Sequence, residues 1–167
     1  MTGKKTGFIG VRLDPKLQKE LEGLSLLFGK SLSDLIREII EENLPSLRHK
    51  AYSFTRTFIT ELKKIEKSDV PESKILSTMA LYKPALDYEK ARIAIKSEQF
   101  ANKFAKSGHA WSQLHELALS YFGFYGQERQ AVIRDLLDKI EKSLEEKDFE
   151  ALTNYYAFLR RQILKLD

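Results

Sequence analysis

Apolar and polar positions alternate over residues 7–15, GFIGVRLDP: Ile9, Val11 and Leu13 are apolar, and Phe8, Gly10 and Arg12 fall between them. A period of two predicts a short strand with one apolar face. No other stretch of the chain reads as a strand, so the strand lacks an obvious partner for its backbone groups. The period then changes to that of a helix. Asp14-Pro15 is a helix start, because Asp caps free N–H groups and Pro suits the first helical position. Leu17, Leu21, Leu24 and Phe28 form one stripe, and Gly29 is expected to end it. Ser31 with Asp34 resembles a capping box. Leu32, Leu35, Ile36, Ile39, Ile40 and Leu44 form the next stripe, which Pro45 is expected to stop.

A third helix is predicted over 46–67, with Ser46 as its cap and Ala51, Phe54, Phe58, Leu62 and Ile65 on one face. A fourth restarts at Pro71 and ends near Pro84, and a fifth follows to about Lys106. Residues 110–122 are predicted helical, GFYG at 123–126 is a turn, and the last two helices cover about 127–146 and 148–165 as an antiparallel pair. The chain is expected to divide near Pro45. Sixteen of its eighteen aromatic residues lie beyond that point, so the larger core belongs to the second part.

Composition narrows the possible functions. The absence of Cys among the 167 residues excludes a disulfide scaffold, a thiolate metal site and a Cys nucleophile. Hydrophobic residues at 43% and charged residues at 31% describe a globular chain rather than a disordered one. A formal net charge of +4 permits nucleic-acid binding without demanding it. No apolar run approaches the roughly 20 residues that span a bilayer, and the N-terminus carries no signal-peptide pattern. No membrane association and a cytoplasmic location are therefore expected.

The stretch IGVRLDPKLQKELEGLSLLFGKSLSDLIREIIEENL resembles the ribbon-helix-helix family of DNA-binding proteins. The likeness lies in the strand leading through RLDP into a first helix, and in LFGKSLSDLIREII, which matches the family's Gly-x-Ser-x-Ser turn and amphipathic second helix. It covers residues 7–45. The resemblance implies that two chains pair their strands as an antiparallel ribbon in the DNA major groove. The partner of the lone strand would be the same strand of a second copy. The shared dimer core would hold Ile9, Val11, Leu13, Leu17, Leu21, Leu35, Ile36 and Ile39. The resemblance implies base contacts from Phe8, Gly10 and Arg12, with Arg12 suited to guanine. Gly10 departs from the family, which carries polar side chains there. Contacts are then expected from Lys4, Lys5 and Thr6 in the arm, or from DNA shape and phosphates. The family's phosphate anchor at the start of the second helix corresponds to Lys30, Ser31 and Ser33.

Other motifs point elsewhere only weakly. GKKTG lacks the preceding strand and the Lys-Ser/Thr pair of a phosphate loop. His49, His109 and His115 have no second ligand at helical spacing, and no strand-turn-helix elbow presents a Ser nucleophile. No metal, no cofactor and no enzymatic activity are expected. Segment 48–67 carries six Lys/Arg against two Glu, and Arg48, Arg56, Lys63, Lys64 and Lys67 could flank DNA.

The expected protein is mainly α: a ribbon-helix-helix domain at 1–45 and a helical bundle at 46–167. Its expected function is sequence-preferring binding of double-stranded DNA as a homodimer, most simply transcriptional repression. Residues 51–167 would mediate higher association or partner binding. The alternatives are a structural role in DNA organisation, partition, mobilisation or virion packaging, and an antitoxin-type regulator. The long helical C-terminal part weighs against the antitoxin.

Overall fold

The computed structural model describes residues 7–105 and 110–164. The described residues form seven helices and no strand. They fall into two compact units, one ending at His49 and one beginning at Lys50.

In the first unit, residues 7–14 have no regular secondary structure. This corrects the expected ribbon strand. A strand needs a neighbour for its N–H and C=O groups, and three alternating apolar residues do not supply one. Helix α1 (Pro15–Phe28) starts as its sequence demands: the Asp14 carboxylate accepts from the N–H groups of Lys16 and Leu17, each at 2.9 Å. It ends at Gly29, whose φ of 62° is left-handed and suits a residue without Cβ. The Lys30 N–H then returns to the Ser25 carbonyl at 3.1 Å, and the Ser25 hydroxyl donates to the Lys30 carbonyl at 2.6 Å.

Helix α2 (Leu32–Lys67) contains Pro45. The expected stop at Pro45 and the separate helix from Ser46 are both corrected. An interior Pro removes one hydrogen bond and crowds the preceding turn, at about 3 kcal/mol. Phe58, Ile59 and Leu62 on the same helix are all within 3% of complete burial, and burying each is worth about 1.5–3 kcal/mol. Helix formation past Pro45 is thus repaid by packing further along.

The second unit packs the later part of α2 with α3 (Glu72–Leu81), α4 (Tyr88–Phe104), α5 (Trp111–Tyr121), α6 (Gln127–Glu145) and α7 (Phe149–Leu164). Helices α4 and α5, α5 and α6, and α6 and α7 are neighbours, and α3 lies on α4. Asp87 caps α4 through the Lys90 N–H at 2.8 Å, and Asp148 caps α7 through the Ala151 N–H at 3.0 Å. The turn between α5 and α6 uses positive φ at Gly123 (91°) and Gly126 (102°). The core is aromatic at its centre. Phe58 meets Phe100 edge-on with ring centroids 4.9 Å apart, and Phe104 lies 5.0 Å from Phe100. Leu62, Ile133 and Ile140 are fully buried around them. A smaller cluster of Ile75, Ala91 and Ile95 seats α3.

Polar groups tie the helix ends. The buried Lys96 ammonium donates to the Glu66 backbone carbonyl at 2.6 Å, satisfying a carbonyl in the last turn of α2. The Glu66 carboxylate pairs with Arg134 and accepts from the Tyr121 hydroxyl at 3.3 Å. Lys63 bonds Glu141 and Lys103 bonds Glu61, both at 2.6 Å.

Candidate nucleic-acid interface

In the N-terminal unit, only Leu35 is buried among the described residues. Leu13, Leu21 and Ile36 are half-buried. Ile9 is 87% exposed and Val11 70%, and Leu17 and Ile39 are also exposed. Of the eight residues expected in a dimer core, the chain itself encloses one. Leu26, Leu27 and Leu47 add further uncovered apolar surface that the pattern reading did not single out, and Phe28 and Ile40, both on the predicted stripes, are exposed as well. The signal was present at Leu26 and Leu27, which lie off the stripe of Leu17, Leu21, Leu24 and Phe28. Residues 24–28 are apolar on more than one side of α1, as expected of a helix with more than one neighbour.

The residues expected to read bases lie together on segment 7–14. Phe8 is 95% exposed and Arg12 is exposed. A Cβ added at Gly10 would stand 3.6 Å from the Phe8 ring, an ordinary contact, so the chain's own packing does not require glycine there. Lys4, Lys5 and Thr6 lie outside the described residues.

The start of α2 is less open to a phosphate than its sequence suggests. Ser31 caps the helix: its hydroxyl accepts from the Asp34 N–H at 3.1 Å and donates to the Asp34 carboxylate at 2.7 Å. Asp34 therefore sets a negative charge at the positive end of the helix, and it also holds Arg37 at 2.9 Å. Lys30 is paired with Glu38. Ser33 is exposed. Lys30, Glu38 and Glu42 join Leu24, Phe28, Leu35 and Ile39 in lining a groove of about 250 Å³ between α1 and α2.

The basic run at 48–67 is partly spent on internal pairs. Lys63 holds Glu141, and Lys64 lies 3.9 Å from Glu61. Arg56 and Lys67 are exposed. Among the histidines, His115 stacks on Trp111 with ring centroids 4.5 Å apart, and burial holds its pKa below the usual value. Among the described residues no three His, Asp or Glu side chains are placed to hold a metal ion. No described helix is long and apolar enough to cross a membrane. Comparison of the chain with protein-family models, with curated proteins and with solved structures gives no match.

Proposed function

We propose that the protein binds double-stranded DNA as a homodimer and acts as a transcriptional repressor, with its N-terminal unit as the reading end. The observation that carries this reading is the uncovered apolar surface of that unit. A unit with one buried side chain among its described residues does not hold a fold by itself, and a second copy supplies the missing interior. Ile9, Val11, Leu17 and Ile39 are exposed and free to enter it. Arg12 on the exposed segment then faces the major groove, with Phe8 against a thymine methyl group. The cation of Lys30 becomes available to a phosphate once Glu38 releases it. A cytoplasmic location goes with this role.

Selection of bound sequences from a random DNA pool tests the reading. A repressor yields one two-fold-symmetric site, and Arg12→Ala weakens that site by about 1–3 kcal/mol while relaxing choice at one base pair. An equal loss on every sequence would assign Arg12 to phosphates. Absence of any DNA retention at low salt would remove the proposal.

A second reading, DNA organisation by dimers side by side, draws on the other unit. Leu76, Leu81, Tyr82 and Tyr88 are exposed around the end of α3 and the start of α4. Such surface suits self-association, which raises occupancy without new base contacts. It predicts a stoichiometry that grows with DNA length, and a binding curve that loses steepness when Leu81 and Tyr82 are replaced by Ser.

A further inference from the structure

Within the C-terminal unit, α2 and α7 leave a groove of about 380 Å³ between them. It is lined by Phe54 and Thr55 of α2 and by Phe149, Leu152, Tyr156 and Ala157 of α7, among others. Nearly all of that lining is carbon, and its volume is that of a small-molecule site rather than of a docked helix. Thr55 brings a hydroxyl to a wall that is otherwise aromatic and aliphatic. One turn further along α7, Arg160 follows Tyr156 by four residues and Ala157 by three, so it stands on the groove-lining face. Arg160 is exposed, and among the described residues it forms no ion pair. Its charge is felt at the Tyr156 phenol, which burial raises and Arg160 lowers. An apolar trough with an exposed cation on the same face of α7 suits an amphipathic anion.

We propose that the α2–α7 groove binds a small carboxylate with an aromatic or short aliphatic body, the body lying between Phe54 and Tyr156 and the carboxylate meeting Arg160. The ring stacks among aromatic neighbours, and Arg160 supplies direction. A neutral body of the same shape fills the groove but loses the polar contact, and a cationic one is repelled.

Calorimetric titration of the full chain with phenylbutyrate tests this. One molecule should bind per chain with a dissociation constant of about 1 mM or tighter. Arg160→Gln lies on the surface and leaves the fold intact. It should weaken phenylbutyrate about fivefold and leave phenylbutanol unchanged. Ala157→Trp fills the groove and should weaken both ligands about tenfold or more. Absence of saturable binding at about ten times that constant overturns the proposal, as does binding that neither substitution alters. If Ala157→Trp changes the sedimentation of the protein instead, a second copy covers the groove and the small-molecule site is refuted.

Discussion

Val11→Lys separates what the chain holds by itself from what a second copy would hold. Val11 is 70% exposed in its own chain, so the substitution should change the chain's own stability by no more than about 0.5 kcal/mol. The dimer is a different matter. Eight large apolar side chains of the N-terminal unit are more than half exposed: Phe8, Ile9, Val11, Leu26, Leu27, Phe28, Ile40 and Leu47. If association covers half of them at about 2 kcal/mol each, the two chains together gain about 16 kcal/mol. Lost freedom on association takes back roughly 10 kcal/mol within a wide range. The remainder, about 6 kcal/mol, corresponds to a dissociation constant of about tens of micromolar. Two-fold symmetry makes the dimer feel Val11→Lys twice. Losing about 1.5 kcal/mol per chain weakens pairing about a hundredfold, before any cost of covering the ammonium. Sedimentation velocity from low to several hundred micromolar should show a monomer–dimer transition for the natural chain and a monomer throughout for the variant. Circular dichroism should show the same helix content for both at low concentration. A variant that dimerises as well as the natural chain refutes Val11 as interface, and a natural chain that stays monomeric refutes the shared interior.

Three further outcomes are expected. Glu38→Gln releases Lys30 and should tighten binding to all DNA sequences at low salt, steepening the dependence on salt by about one counterion per chain, measured by fluorescence anisotropy. Phe100→Ala removes the ring that meets both Phe58 and Phe104, and should destabilise the C-terminal unit by about 3–5 kcal/mol in urea unfolding. The hydrogen bond from Lys103 holds the Glu61 carboxyl below its usual value, so its contribution is complete above that value and is lost as pH falls through the lowered one. Lys103→Met should therefore flatten the acid side of the stability profile below about pH 4.5, leaving the neutral-to-alkaline side unchanged in shape.

Helix starts and stops were legible wherever a single residue's chemistry decides them. Asp14, Gly29, Asp148 and the glycines of GFYG act at their own positions, so the sequence near them suffices, whereas Asp87 caps α4 without having been singled out. Pro45 misled because its local penalty is outweighed by packing of Phe58 and Leu62 more than ten residues away, which no local pattern expresses. The strand at Ile9, Val11 and Leu13 misled for a related reason. Alternation describes which side chains share a face, but a strand exists only where another backbone pairs with it. At the candidate interface, residue types were readable and their engagements were not. Lys30 and Ser31 are suitable phosphate ligands by type, yet Glu38 and Asp34 occupy them, and that depends on the rotamers of side chains eight and three residues further along.

Glu66 has a consequence for how the chain comes into being. Its carbonyl waits for Lys96, thirty residues later, and its carboxylate waits for Tyr121 and Arg134, 55 and 68 residues later. On a ribosome making about 5–20 residues each second, those partners appear several seconds after Glu66 has left the exit tunnel. Through that interval Phe58 and Leu62 have no complete core to enter, and Phe100 and Phe104 emerge onto an open surface. The bonds that shape α1 and the start of α2 span at most eight residues and form as soon as they are made. The newborn chain therefore passes through a stage with helical local structure and an uncovered aromatic face, the stage at which a chaperone or a neighbouring nascent chain would meet it.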